Sequence, residues 1–311
     1  MAPFPWQEDA WRQLLRARAE DRLPHALLLH GRTGLGKGQF ARALAQTLIC
    51  AEGGDTACGH CNPCRQFAAG TAPDFFLVEP PEDKKTIGVD QIRELIELLA
   101  LTSHGGGRRV AVIDPADAMN ANAANSLLKT LEEPPGSSML LLVSARPARL
   151  PATVRSRCRH VRFAPPAESV AVQWLAAQGV ESDTAQKLLD LAGRRPLTAL
   201  DLNDEANLAR STEISAGARD IVLGKRNPVA IAEAWAKEPL GEVLELLIGW
   251  TGSLLRSCLA AAEPEPAAAR LGPHRLLAML DRLYEAEKLR DTSVNPQLLL
   301  ESLLAPLAPG R

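Results

Sequence analysis

The sequence predicts an α/β protein in which a parallel sheet covered by helices is followed by a purely helical C-terminal half. Short apolar runs alternate with segments of helical periodicity as far as Phe163, and only helical periodicity follows the break at Ala164–Pro166. Alternation at this spacing favours parallel strands joined by crossover helices. We therefore expect an α/β domain at 1–165 with a cysteine module at 50–64, a small helical domain at 166–207 and a C-terminal helical bundle at 208–311.

Strands are predicted where short runs of neighbouring residues are apolar and a loop or helix follows. The first run, Ala26–His30, leads into a glycine-rich loop, and the apolar run Val110–Ile113 ends at Asp114. By the same criterion, three further runs complete the sheet: Phe75–Val78, Met139–Val143 and Val161–Phe163.

Helices are predicted where apolar residues recur every three or four positions. Val89–Leu101 shows this pattern clearly. A helix at Asn120–Glu133 is closed by Pro134 and Pro135, because proline rings cannot continue the hydrogen-bond ladder. The other helical segments are Gln39–Ile49, Val170–Ala177, Ala185–Leu191, Gly241–Leu259 and His274–Leu289.

Composition narrows the function classes. The 311 residues carry 35 Lys and Arg against 37 Asp and Glu, so a surface devoted wholly to nucleic acid is not implied. No signal peptide is recognised at the N-terminus, and no apolar stretch is expected to approach a membrane span. Four of the six cysteines crowd into residues 50–64, which predicts a metal site in a cytoplasmic protein.

Residues 31–38 read Gly-Arg-Thr-Gly-Leu-Gly-Lys-Gly and match the phosphate-binding pattern G-x-x-x-x-G-K. The next position normally carries the Ser or Thr hydroxyl that holds magnesium, and here it is Gly38. Pro115 follows Asp114 where a water-polarising Glu is often found, so we expect negligible ATP hydrolysis. Nucleotide binding without hydrolysis stays open, as does the alternative of a simple glycine-rich turn. The candidate nucleotide-binding residues are Gly31, Thr33, Gly34, Gly36, Lys37 and Asp114.

The four crowded cysteines have the spacing C-x7-C-x2-C-x2-C. Thiolates two residues apart on a tight turn can share one tetrahedral ion, and four of them complete a closed structural zinc site. His60 is an alternative ligand, and reduced thiols without a metal are the alternative interpretation. The predicted zinc ligands are Cys50, Cys58, Cys61 and Cys64.

An arginine-rich segment surrounds Ser156-Arg157-Cys158. An arginine at a domain edge can stabilise charge on a phosphoryl group held by a neighbouring subunit. A solvated basic face and a contact with DNA phosphates are the alternatives, and charge alone favours them.

Two longer motifs carry a family resemblance. Residues 125–135 read Asn-Ser-Leu-Leu-Lys-Thr-Leu-Glu-Glu-Pro-Pro, and residues 150–158 read Leu-Pro-Ala-Thr-Val-Arg-Ser-Arg-Cys. Together with the glycine loop and the cysteine module, they resemble the bacterial clamp-loader subunits of the AAA+ superfamily. The resemblance is dense over residues 20–165 and thins beyond them. It implies an AAA+ domain followed by a helical lid and a helical collar.

The resemblance also implies a role. The chain departs from the ATP-hydrolysing gamma and tau motor subunits at Gly38, at Pro115 and at Pro196, where motors place a nucleotide-sensing Arg. A subunit without its own activity is implied, with Arg157 acting in trans as an arginine finger and Zn²⁺ as a structural cofactor. The implied partners are gamma or tau and delta in a hetero-pentamer, with the sliding clamp and primed DNA reached through the complex. The implied place is the cytoplasmic, nucleoid-associated replisome, without a membrane, and any polymerase activity would be by association.

Three alternatives stay open. An active gamma or tau motor differs in its ATPase activity, and a P-loop kinase or transferase needs magnesium ligands and an acceptor base that we do not find. A zinc-dependent DNA-binding regulator needs a basic recognition helix beside the cysteine module, and the segment after Cys64 is too short for one.

Overall fold

The computed structural model describes residues 2–101, 108–260, 263–290 and 292–309. The chain divides into two compact units, Met1–Pro165 and Pro166–Arg311. In the described part of the first unit, five strands form one parallel sheet in the order β2-β3-β4-β1-β5. The strands are β1 (Ala26–His30), β2 (Phe75–Val78), β3 (Val110–Ile113), β4 (Met139–Ser144) and β5 (Arg159–Arg162).

Helices cover both faces of this sheet, as predicted. Leu27 and Leu29 of β1 pack in one apolar cluster with Phe40 and Trp11, and Leu28 between them packs in a second cluster on the opposite face. This alternation follows from the two-residue period of a strand that is buried on both faces. The helices of the unit are α1 (Glu8–Ala19), α2 (Lys37–Ile49), α3 (Asn62–Ala68), α4 (Val89–Ala100), α5 (Ala121–Ser126), α6 (Leu128–Glu132) and α7 (Ala152–Arg155).

Two predicted elements need correction. The single helix expected at Asn120–Glu133 is two short helices, α5 and α6, with Leu127 between them. The last strand was expected at Val161–Phe163, but β5 spans Arg159–Arg162. β5 is an edge strand whose arginines are exposed, so its sequence has no apolar run that marks a strand.

In the described residues after Pro165, all regular secondary structure is helical, as predicted. One apolar cluster gathers residues between Ala171 and Leu202, and a larger one gathers residues between Ile214 and Leu307. The finer division at about residue 207 stays a prediction. The helices are α8 (Glu168–Ala177), α9 (Ser182–Leu191), α10 (Pro196–Asp201), α11 (Glu205–Val222), α12 (Pro228–Trp235), α13 (Leu240–Ala260), α14 (Pro266–Leu289, kinked at Gly272) and α15 (Pro296–Leu304).

The helix α13 is long and apolar enough to cross a membrane by length and composition alone. The expectation that no apolar stretch approaches a membrane span was wrong for this segment. Its side chains Val243, Leu244 and Leu247 are fully buried in the larger apolar cluster. Core helices of soluble proteins share this length and composition, so the helix is weak support for a membrane segment.

A close approach joins α13 to the end of α9. A Cβ atom added at Gly249 would lie 2.6 Å from the backbone oxygen of Leu191, so only glycine fits there without a shift of the backbone. The two helices therefore pack backbone against backbone at this point.

Candidate functional site

The glycine loop connects β1 to α2, where the sequence predicted it. Gly31, Gly34 and Gly36 have positive φ angles of 152°, 80° and 78°. A Cβ atom at Gly31 would lie 2.3 Å from the backbone oxygen of Phe163, so a side chain is excluded at the loop entrance. The sequence thus places a sharp turn between a strand end and a helix start, which is the geometry of a phosphate-binding loop.

Within the loop, the Lys37 side chain folds back onto the backbone. Lys37 is 6% exposed, and its Nζ donates a hydrogen bond to the carbonyl oxygen of Arg32 at 2.9 Å. The nearby Thr33 is an exposed residue at the tip of the turn. The predicted loop residues are therefore adjacent, with the lysine packed against the turn.

The N-terminal segment before α1 holds the loop, a contact that the sequence did not predict. The Trp6 Nε1 donates to the Leu35 carbonyl at 3.0 Å, and the Gln7 Nε2 donates to the carbonyls of Leu35 and Gly36 at 2.9 and 3.0 Å. A Cβ at Gly36 would lie 2.5 Å from the Phe4 ring. Residues 4–7 therefore buttress the loop through its carbonyl groups.

Asp114 lies beside the position that lacks a hydroxyl. A Cβ atom at Gly38 would be 2.5 Å from the Asp114 Oδ2, so the carboxylate and the missing hydroxyl would be neighbours. Burial raises the pKa of the Asp114 carboxyl, and the nearby Lys37 ammonium opposes this shift. A carboxylate therefore faces the position without a hydroxyl, and Pro115 follows without a side-chain acceptor.

We expect Gly38→Ser to restore magnesium-dependent ATP binding without restoring hydrolysis. The added Cβ would lie 2.5 Å from the Asp114 Oδ2, so the carboxylate at the end of that side chain has to turn aside first. The serine hydroxyl would then complete an oxygen pair with it, and we expect at least a tenfold tighter Kd with Mg²⁺ than without it, or about 1.4 kcal/mol. Equilibrium titration with ATP measures this difference, and Gly38→Ala is the matched control because it adds the Cβ alone. Equal Mg²⁺ dependence in all three proteins would contradict the expectation.

Asp117 is a buried carboxylate that sequence reasoning missed. It accepts hydrogen bonds from the Ser144 hydroxyl at 2.6 Å and the Ala145 N–H at 3.0 Å, and it pairs with the Arg146 Nε at 3.2 Å. Ser144 is fully buried at the end of β4. The serine is thus engaged in a structural bond, and an acidic residue in the loop after β3 was the available signal.

The four predicted zinc ligands come together in space. The Sγ atoms of Cys50 and Cys61 are 3.9 Å apart, as are those of Cys58 and Cys64, and all four lie within 4.8 Å of one another. Four sulfurs about 2.3 Å from one tetrahedral zinc ion lie about 3.8 Å apart, so the cluster fits such an ion. The exposed His60 pairs with Glu52 at 3.2 Å, outside the four-sulfur set.

The surroundings of the cluster suit metal-binding thiolates. The backbone N–H of Cys58 points to the Cys50 Sγ at 3.5 Å, and that of Cys61 points to the Cys58 Sγ at 3.3 Å. Burial raises the pKa of Cys50, but backbone hydrogen bonds from Cys58 and Glu52 outweigh it and lower the pKa to about 6, whereas burial raises the pKa of Cys64 to about 12. Thiolate is the form that binds metal ions, and a bound cation would favour it at every position of the cluster.

Helix α1 holds the loop of the cysteine module through two hydrogen bonds. The Trp11 Nε1 donates to the Asp55 carbonyl at 3.1 Å, and the Arg18 Nη1 donates to the Gly54 carbonyl at 3.2 Å. Both acceptors lie in the loop between Cys50 and Cys58. The module therefore rests on the helix whose preceding residues buttress the glycine loop.

Arg157 lies after α7, between that helix and the edge strand β5. Its Nε donates to the Glu132 Oε1 at 2.8 Å, its Nη2 contacts the same oxygen, and its Nη1 donates to the Thr153 carbonyl at 2.9 Å. Its side chain is 34% exposed. The guanidinium is therefore held at the surface by its own chain, and the structure offers it to solvent.

Arg194 and Arg195, which precede Pro196, both form ion pairs inside the second unit. Arg194 pairs with Glu168 at 2.5 Å. The Arg195 side chain is 1% exposed, and its Nη1 pairs with the Glu245 of α13 at 3.1 Å. Pro196 begins α10.

The family described as "DNA polymerase III, delta subunit" matches residues 6–167. The DNA polymerase III subunit delta' of Pseudomonas aeruginosa is 36% identical over 99% of this chain and 98% of that protein. The chain belongs to the DNA polymerase III delta' family. The Escherichia coli delta' subunit is 34% identical over 97% of this chain and 94% of its own length.

The chain is also similar to a tau subunit. The DNA polymerase III subunit tau of Salmonella typhimurium is 35% identical over 49% of this chain and 23% of that protein. This similarity covers half of the chain, whereas the similarity to the two delta' subunits above covers nearly all of it.

Proposed function

We propose that this chain is the delta' subunit of a DNA polymerase III clamp loader, and that it supplies a cation to a neighbour's ATP without hydrolysing ATP itself. The observation that carries the proposal is the incomplete site around Gly38, where the Asp114 carboxylate faces a bare backbone and Pro115 follows. Full-length similarity to delta' subunits supports the assembly.

In the proposed mechanism Arg157 acts in trans. The adjacent gamma or tau subunit binds ATP at the shared interface, and the Arg157 guanidinium stabilises negative charge that develops on the transferring phosphoryl group. Its half-exposed position beside α7 supports this role. The candidate residues Gly31, Thr33, Gly34, Gly36 and Lys37 keep the loop's shape but lack the hydroxyl for magnesium, so the chain's own site stays idle.

The remaining roles follow from the same proposal. The chain joins gamma or tau and delta in a hetero-pentamer, with the C-terminal helical bundle at 208–311 as its collar and the helices at 166–207 as its lid. The complex opens the sliding clamp, loads it onto primed DNA and acts in DNA replication at the cytoplasmic replisome. We propose Zn²⁺ as the ion of the four-cysteine cluster, in a structural role supported by the closed set of four thiols.

Two other functions are less well supported. An active gamma or tau motor is favoured by similarity to gamma and tau subunits over 49% to 67% of the chain. A P-loop kinase or transferase needs a complete magnesium site, and Gly38 provides no hydroxyl for one.

The test combines assembly with hydrolysis. We expect the purified chain to co-elute with the gamma and delta homologues of its own organism and to hydrolyse ATP alone at no more than the buffer rate. The motor subunit serves as the positive control under the same conditions. A magnesium-dependent turnover near one per second that Lys37→Ala abolishes, or a failure to join the complex, would contradict the proposal.

A further inference from the structure

The bond between Arg157 and Glu132 joins two segments that are separated in sequence. Glu132 is the last residue of α6, and both the Nε and the Nη2 of Arg157 contact its Oε1 atom. Each segment is anchored beside this contact, because Leu131 is 2% exposed and Val154 is fully buried in one apolar cluster. The apolar cluster therefore fixes the distance between the carboxylate and the arginine.

The pair leaves part of the guanidinium available. A guanidinium carries five N–H groups, of which Arg157 uses one on Nε and one on Nη2 for Glu132 and one on Nη1 for the Thr153 carbonyl. One N–H on each terminal nitrogen is left, and no residue in the described ranges accepts from either. Two such N–H groups match two oxygens of a phosphoryl group.

We propose that Glu132 is a positioning residue for the arginine finger, a role that rests on the proposed function. Its carboxylate accepts hydrogen bonds from the Nε and Nη2 of Arg157. These bonds fix the plane of the guanidinium, and with it the direction in which the two remaining N–H groups project. The Thr153 carbonyl provides the second point of attachment. Because both partners are partly exposed, at 34% and 51%, the pair contributes little to folding stability, whereas orientation strongly affects phosphoryl transfer.

The neighbouring Glu133 provides a matched control. It is exposed, it has the same charge, and its side chain has no partner in the part of the chain that the structure describes. Glu132→Gln and Glu133→Gln therefore remove the same charge from adjacent positions, and only the first changes the group that grips Arg157. An effect of net charge alone would be equal in the two variants.

The experiment uses the reconstituted clamp-loader complex with primed DNA and measures hydrolysis of prebound ATP by rapid quench. We expect Glu132→Gln to slow the phase that belongs to the neighbouring site about tenfold at an unchanged half-saturating ATP concentration, and Glu133→Gln to leave it within about twofold. In the Arg157→Ala background, Glu132→Gln is expected to add nothing, because its effect passes through the arginine. Thermal melting and gel filtration of each variant confirm folding and assembly.

The outcomes separate this inference from the function on which it rests. If Arg157→Ala slows hydrolysis and Glu132→Gln does not, the positioning role is wrong and the proposed finger stands. If Glu132→Gln slows hydrolysis equally with and without Arg157, the glutamate acts by another route and the inference is overturned. If Arg157→Ala has no effect, the proposed function fails and the inference fails with it.

Discussion

Arg157→Ala is expected to slow ATP hydrolysis at the neighbouring subunit's site by about 10³-fold or more, the range over which arginine fingers act. The physical reason is the loss of a fixed cation beside the charge that develops on the phosphoryl group. In the assembled complex, the amplitude of the fast phase of hydrolysis should fall by the part that one ATP site contributes. Clamp loading onto primed DNA should slow as well. Assembly should survive, because the Arg157 side chain is 34% exposed and its ion pair is a surface contact.

The matched control is Arg159→Ala. Arg159 is exposed on β5, two residues from Arg157 in the sequence. Its replacement by alanine removes the same charge from the same surface. Arg157→Lys adds a second comparison, because a lysine keeps the charge but cannot present two parallel N–H groups. Equal rates for Arg157→Ala, Arg159→Ala and the unaltered complex would leave the arginine as part of a solvated basic face.

Loss of the metal is the second large effect that we expect. Cys64→Ser should lower the zinc content from about one equivalent per chain to near zero, since a closed four-ligand site tolerates few replacements. The loop after Cys50 would then lose its order, and with it the contacts of Asp55 and Gly54 to α1. Zinc analysis after dialysis measures the first effect, and tryptic cleavage after the exposed Arg65 of α3 measures the second.

Cys258→Ser is the control for this experiment. Cys258 lies outside the cluster on α13, where its Sγ donates to the Ala268 carbonyl at 3.1 Å, a bond that a serine hydroxyl can also make. We expect full zinc content and no new cleavage. A dialysed, unaltered chain that holds less than about half an equivalent of zinc would show that the cluster is a set of free thiols.

The sequence predicted the sheet well where apolar residues carry the pattern. The runs Ala26–His30, Phe75–Val78 and Val110–Ile113 coincide with β1, β2 and β3, because these strands are flanked by loops and are rich in apolar side chains. The strand predicted at the β5 edge began two residues late and ended one residue late, since only Val161 of the four residues of β5 is apolar. Hydrophobic periodicity detects burial, and an exposed edge has too little of it.

The site was predictable where its parts are close in sequence. The glycine loop and the cysteine cluster each lie within a short segment, so residue types and spacing were sufficient. The contacts of Trp6 and Gln7 with the loop join residues about 28 positions apart, and Glu132 reaches Arg157 across 25. Such contacts depend on how the helices pack on the sheet, which a local pattern does not contain.

The ion pair between the buried Arg195 and the partly exposed Glu245 bears on movement within the C-terminal half. Bending the helices that precede Arg195 away from α13 would separate a guanidinium that is 1% exposed from its carboxylate and leave a buried charge without its partner. The close backbone approach at Gly249 leaves no room for a side chain between the same two elements. Both contacts therefore oppose separation of α13 from the short helices that precede it.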